Sequence, residues 1–311
     1  MSYAKLRSRL TTGRPLVVDA DSGASLRALG VDLDCPGALG AALRKSPDTV
    51  RDHHVSEATQ RVDVLSALTA DTTPRALAEV GMEHRSALLT GQAVELAFEA
   101  AAAAPKPVAV AGVLGSDLVT AIDRRRFEAE TREHAMRISV AGPELIVVRG
   151  LGNAVELTFA VVAACEVNMP TWAVVDLEMS SERRLEELLD ALCQAGAEAV
   201  LFEVASIEQG LERVRRVADS GVAVVPGVLL AAGPEALRGF PEPLVAGWVS
   251  RSLELTDAGA RIVGGGAGTT EAHTHALATA LGELHPSLPP RTPGSESSGN
   301  GRGSGRAGAS V

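Results

Sequence analysis

Eight short apolar runs punctuate the chain, separated by longer stretches in which apolar residues recur every three to four positions. The runs are LVVDA (16–20), VDVLSAL (62–68), PVAVAGVL (107–114), LIVVRG (145–150), TWAVVDL (171–177), AVLFEVA (199–205), VAVVPGVLL (222–230) and RIVGGG (261–266). They are continuously apolar rather than alternating, which means burial on both faces, as in a parallel sheet covered by helices. The intervening stretches predict helices, most clearly over 75–104, 123–141, 182–195, 207–220, 243–258 and 270–284. Ser180, Ser181 and Ser206 are placed to cap helix starts, and Gly142, Gly196, Gly221 and Gly259 to end helices through left-handed turns. Eight strand–helix repeats predict an α/β protein, a single-domain (β/α)8 TIM barrel over residues 15–284. A doubly wound open sheet is the alternative, but its Gly-rich turn follows the first strand, whereas here such a turn follows the last.

The ends differ from this middle. Residues 1–14 are basic at Lys5, Arg7, Arg9 and Arg14, lack a continuous apolar segment and are expected to be flexible rather than a signal peptide. Residues 285–311 are dominated by Pro, Gly, Ser and Arg, too poor in apolar surface to offset the entropy of ordering, and are expected to be a disordered tail. The 29 basic and 39 acidic residues leave a net charge of −10. A field of that sign repels phosphate backbones and anionic headgroups, which argues against nucleic acid and membrane as partners. No apolar run reaches the roughly 18 residues of a membrane span. Cys35, Cys165 and Cys193 have no CxxC spacing and leave an odd thiol, which excludes a secreted disulfide framework and fits a reducing cytoplasm.

In such barrels the chemistry sits at the C-terminal ends of the strands, so the residues that follow each run become the candidates. They are Asp19 and Asp21, Thr69 and Asp71, Ser116 and Asp117, Arg149, Asp176 and Glu178, Glu203, and the loop Gly264–Thr269. Asp71, Ser116, Asp117 and Glu178 also stand where helix caps belong, and capping alone accounts for their residue types. Asp19, Asp176 and Glu203 are the carboxylates left as acid–base candidates. The loop could offer backbone N–H groups to a phosphate, or simply need glycine for close backbone approach. His273 and His275 are two apart, and His53 and His54 adjacent, so neither pair shares a helical face as metal ligands do. These histidines are expected at the surface or partly buried.

The order of these segments resembles a family. VVDADSGASLRALG is similar to the first-strand segment DGxxGTxLxxxG of the homocysteine S-methyltransferases, and GARIVGGGAGTTEAHTHAL to their C-terminal GaxiiGGCCGTxPxHIxxL. HHVSEATQRVDVLSALTADTTPRAL resembles the second unit and PVAVAGVLGSD the third strand, so the likeness spans about residues 15–283. It implies a small-molecule ligand in the barrel mouth, with Asp19, Gly23, Thr69, Gly264, Gly265, Gly268 and His273 as retained positions. It also implies a zinc ion held by three cysteinates, which keeps a substrate thiol ionised for methyl transfer. Those ligand positions fall on Val204, Gly266 and Ala267, so no metal or other cofactor is expected here. A Glu-Thr pair after the family's fourth strand falls on Arg149 and Gly150, a reversal of charge. Cys165 and Cys193 fall inside helices as packing residues, and Cys35 after the first strand; none can replace the missing ligands.

Three functions remain open on the sequence. The first is an S-methyltransferase working without thiolate zinc, with Asp19 and Thr69 lining its pocket. The second is a non-catalytic barrel that senses a ligand or binds a partner, whether another protein or a second copy of itself. The third is an enzyme acting on an anionic phosphate or carboxylate metabolite, clamped by Arg149 and the Gly264–Thr269 loop.

Overall fold

The eight apolar runs form eight parallel strands that close in sequence order, β1 pairing with both β2 and β8. The computed structural model describes residues 3–284 apart from 13, 36, 116–121, 177–181 and 234–241. Ser116, Asp117, Glu178, Ser180, Ser181 and the expected tail 285–311 therefore lie outside the described residues. In chain order the elements are α1 (Tyr3–Thr11), β1 (Leu16–Val18), α2 (Ser22–Ala28), α3 (Ala38–Lys45), α4 (Pro47–Thr59), β2 (Val64–Ala67), α5 (Pro74–Ala78), α6 (Ser86–Ala103), β3 (Ala109–Leu114) and α7 (Arg124–Ala141). They continue with β4 (Leu145–Val148), α8 (Ala154–Glu166), β5 (Thr171–Asp176), α9 (Glu182–Ala195), β6 (Ala199–Val204), α10 (Ile207–Ser220), β7 (Val225–Leu230), α11 (Glu242–Asp257), β8 (Ile262–Gly265) and α12 (Glu271–Leu284).

Alternate residues of each strand enter two different cores, as a two-residue period requires. Leu16, Val18, Ala111, Val147 and Leu201 fill the barrel interior, while Val17, Val110, Ile146, Val148 and Phe202 pack under the helices. The strands are continuously apolar because both sets are buried. Asp123, Asn153 and Ser206 cap α7, α8 and α10 through their side chains, and Gly142 and Gly221 end α7 and α10 in left-handed conformation. The single helix expected over 75–104 is broken: Gly81, at φ 69°, turns the chain after α5, and a short 3-10 turn at Glu83–Arg85 precedes α6. Among the described residues no helix is long and apolar enough to cross a membrane.

The N-terminal segment corrects the expectation of flexibility. Residues Tyr3–Thr11 form a helix that seals the lower end of the barrel, with Leu6 and Leu10 buried against Leu16 and Trp172. The Trp172 indole donates to the Tyr3 hydroxyl at 3.2 Å, and that hydroxyl donates to Glu198 at 3.0 Å. Arg9 and Lys106 both pair with buried Asp63 just before β2, which also accepts the Val17 N–H at 3.0 Å. Arg9, one of the basic residues on which the expectation of flexibility rested, helps anchor it.

Candidate functional site

A cavity of about 640 Å³ opens at the C-terminal ends of the strands, within the range of small-molecule sites. Val18, Val113, Val174 and Leu229 from the interior rows form its floor. Its polar wall is Asp19, Ser66, Arg149 and Glu203, and its rim comes from the segment between β1 and α3, including Asp21, Arg27 and Cys35.

Asp19, one residue beyond β1, is 3% exposed. Its two carboxylate oxygens accept the Ser66 N–H and the Ser66 hydroxyl, each at 2.7 Å. Burial pushes its pKa up to about 6, with Ser66 and the Arg149 charge opposing the rise. Behind it lies Glu57 of α4, fully buried. One Glu57 oxygen accepts the Ala20 N–H at 3.3 Å, and the other accepts the Thr274 hydroxyl of α12 at 2.9 Å. Burial, followed by the charge of Asp19, raises the Glu57 pKa to about 8, so Glu57 is neutral at neutral pH.

Arg149 and Glu203 continue the interior-facing rows of β4 and β6 past Val147 and Leu201. They meet across the cavity, the guanidinium Nη2 donating to Glu203 Oε2 at 3.1 Å, with side chains 37% and 25% exposed. Asp176 is the register partner of Glu203 on β5, and its side chain is outside the described residues.

Several expected site residues do other work. Thr69 is fully buried and is not a cavity residue: its hydroxyl donates to the Val113 carbonyl and accepts the Val113 N–H, both at 2.7 Å, tying the end of β2 to β3. Its own carbonyl is bonded to His134 Nε2 at 2.9 Å. Asp21 caps α2 by accepting the Gly23 and Ala24 N–H groups with one oxygen, and its other oxygen takes the Gly268 N–H at 2.9 Å. Gly23 does line the cavity. Asp71 lines it too, while Thr73 caps α5.

In the Gly264–Thr269 loop, three of the backbone donors that an anion cradle would use are already committed. The Gly266 N–H bonds to the Leu230 carbonyl, the Thr269 N–H to the Gly266 carbonyl, and the Gly268 N–H to a carboxylate. Glycine is present for close approach: a Cβ on Gly264 would meet Val18 at 2.9 Å, and one on Gly265 would run into Thr269 and Ala20. Of these glycines, Gly265 reaches the cavity wall, whereas Gly264 packs inside the barrel and Gly268, at φ 76°, shapes the turn.

The positions that the sequence resemblance assigns to zinc do not fit it. Val204 is an aliphatic residue buried in the core beneath the helices. Gly266 and Ala267 carry no donor, and a Cβ on Gly266 would lie 2.8 Å from the Leu229 carbonyl and 2.9 Å from the Ala231 nitrogen. Among the described residues no group of three or more His, Cys, Asp or Glu is placed to hold a metal ion. Cys165 and Cys193 are half-buried away from the mouth, as expected of packing residues; Cys35 is instead exposed on the cavity rim.

The histidines depart from expectation as well. His53, His54 and His273 are buried, and only His275 of that group is exposed. His273 stands edge-on to Trp248 with ring centroids 5.2 Å apart. Among the described residues neither ring nitrogen of His54 has a partner, nor does Nε2 of His53. Sequence reasoning passed over Ser66 and Glu57. Ser66 is the lone hydroxyl in an apolar strand, and Glu57 falls on the face of α4 marked by Val50, His53 and His54 at helical spacing.

The family model for homocysteine S-methyltransferase matches residues 16–281. No curated protein sequence matches the chain. Among solved structures it is similar to the homocysteine methyltransferase MmuM of Escherichia coli in its metallated form, at 21% identity over 88% of this chain and 99% of that one, with a TM-score of 0.74. The oxidised form of the same enzyme gives 22% identity at the same coverage and a TM-score of 0.72. The apo form gives 21% over 89% and 99%, with 0.69. At these identities the likeness is one of fold.

Proposed function

Since the chain belongs to the homocysteine S-methyltransferase family, we propose that it is a barrel S-methyltransferase whose thiol acceptor is activated by a carboxylate instead of thiolate-held zinc. The observation that carries this reading is Asp19, a cavity carboxylate whose pKa stands near 6 beside the Arg149 cation. Asp19 accepts the thiol proton as the sulfur lone pair attacks the methyl carbon. The bond from that carbon to the donor's positively charged sulfur or nitrogen breaks, and its electrons stay with the leaving group, now neutral. A thiol near 8.5 and a carboxylate near 6 differ by about 2.5 pH units, an uphill transfer of about 3 kcal/mol. That cost is within what a positioned base contributes. The free cysteines support a reducing cytoplasm as the setting.

The test is methionine formation from homocysteine and S-methylmethionine or betaine in the presence of a chelator. Turnover is expected to survive chelation, and Asp19→Asn to lower kcat about 100- to 10,000-fold. A second reading, a barrel that binds the same ligands without turnover, is favoured by the donor-free positions Val204, Gly266 and Ala267. Binding of both substrates with no methionine formed selects it, and absence of binding sinks both.

A further inference from the structure

We infer that Glu57 is a positioning residue for the cavity base: it forms with Asp19 a buried carboxyl pair that holds one proton, and by carrying that proton Glu57 keeps Asp19 the ionised member. The inference deepens the proposed function by extending the base beyond Asp19, and rests on that reading for Asp19 being the group that takes the thiol proton.

The two carboxyls meet at one peptide. Asp19 leads out of β1 into the cavity, and Glu57, reaching from α4, accepts the N–H of the peptide that joins Asp19 to Ala20. They are 3% and 0% exposed, so water screens one from the other only weakly. Their partners differ in kind. Asp19 receives a donor on each oxygen, the Ser66 N–H on one and the Ser66 hydroxyl on the other, and the N–H can only donate. That is the setting of an ionised carboxylate, and the Arg149 charge on the cavity side favours it further.

Glu57 has one obligatory donor, the Ala20 N–H at 3.3 Å, while its other oxygen stands 2.9 Å from the Thr274 hydroxyl, which can donate or accept. That hydroxyl is also 3.1 Å from the Glu271 carbonyl, which can only accept. With a proton on Glu57 the three groups form a continuous chain, Glu57 donating to Thr274 and Thr274 to Glu271. Without it, one hydroxyl proton is divided between two acceptors.

The surrounding charges place the proton on the same residue. The segment after β1 contributes Asp19 and Asp21, α4 itself contributes His53 and His54, and α12 contributes Glu271 and His273. None is a cation at neutral pH, because burial holds all three imidazoles well below their ordinary pKa. Arg51 of α4 is engaged at the surface with Asp48 and with Glu99 of α6. The pKa values of about 6 at Asp19 and about 8 at Glu57 follow this order. In the proposed reaction Asp19 takes up the thiol proton, and the pair passes from one proton to two. Above about pH 8 Glu57 has lost its own proton, and the second buried charge makes Asp19 a stronger base.

Carbon-13 NMR of the whole protein, labelled at its Asp and Glu carboxyl carbons, tests the inference. In the parent the Asp19 signal is expected to move in two steps, a main one near pH 6 and a smaller one near pH 8 that coincides with the Glu57 step. Glu57→Gln should leave only the lower step, and Asp19→Asn should bring the Glu57 step down by about one pH unit or more. Turnover gives a second readout. The ratio of parent to Glu57→Gln kcat for methionine formation should grow about threefold or more between pH 7 and about pH 9.5, whereas a purely structural defect would scale kcat equally at both. Ionisation of the substrate thiol is common to the two proteins and cancels in the ratio. Circular dichroism melting confirms that each variant is folded. A single Asp19 step in the parent, a Glu57 step that Asp19→Asn leaves unmoved, or a kcat ratio constant with pH overturns the inference. Coupled steps with no methionine formed would refute methyl transfer and leave the carboxyl pair standing; turnover with uncoupled carboxyls would refute the pair and leave the proposed function standing.

Discussion

Replacing Glu57 by glutamine should stabilise the protein, and by an amount that grows with pH. The buried Glu57 carboxyl has its pKa raised to about 8 from an ordinary 4.5. Between those values the unfolded chain has released this proton while the native state still holds it, so unfolding gains about 1.4 kcal/mol for each pH unit above 4.5. The native stability associated with Glu57 is thus full below pH 4.5 and declines as pH rises toward 8. At pH 7 the deficit is about 3 kcal/mol. Glutamine cannot titrate, still accepts the Ala20 N–H, and leaves the Thr274 hydroxyl its bond to the Glu271 carbonyl at 3.1 Å. Urea unfolding can be followed by the fluorescence of Trp172 and Trp248, both fully buried in the native state. The stability difference between Glu57→Gln and the parent should widen in favour of the variant by about 3 kcal/mol between pH 5.5 and pH 7.5. A difference that stays constant across this range would show that Glu57 is ionised in the folded protein, and the argument for a neutral acid behind Asp19 would be lost.

Two further outcomes follow from the packing. Gly266→Cys should destabilise the barrel by about 1–3 kcal/mol, since its Cβ would press on the Leu229–Ala231 backbone, and should not confer zinc binding by elemental analysis; a stable variant carrying stoichiometric zinc would overturn the steric account. His54→Leu should stabilise the protein, because both ring nitrogens lack partners among the described residues. Burial holds the His54 pKa near 3, so below pH 6.5 the unfolded chain takes up a proton that the native state refuses. The gain should therefore be about 2 kcal/mol larger at pH 5 than at pH 7.5 in denaturant melts, and equal gains at both would refute a neutral buried imidazole.

The barrel was legible because burial on both faces leaves a continuous apolar signature, which 145–148 and 199–202 display without interruption. Strand tips were legible for the same reason, and with them Asp19, Arg149 and Glu203 as cavity residues. What a sequence does not carry is the direction of a side chain once the strand has ended. Thr69 stands two residues past β2 and Asp19 one past β1, and the turn at Thr69, with its φ of −89°, sends its hydroxyl into the backbone of β3. Charge misleads in a related way: Arg9 lies in a basic segment expected to be flexible and Glu57 drew no attention, yet each is fixed by partners more than 35 positions away. The Arg149–Glu203 contact, spanning 54 positions, comes from strand register alone.

The helix across the lower end of the barrel has a kinetic consequence. With Leu6 and Leu10 packed into that end, the cavity among the described residues opens toward the C-terminal ends of the strands. If the proposed methyl transfer takes place there, donor and acceptor share that mouth. Under that proposal, a substrate seated deeper on Val18, Val113, Val174 and Leu229 would have to arrive before the one nearer the rim and depart after it.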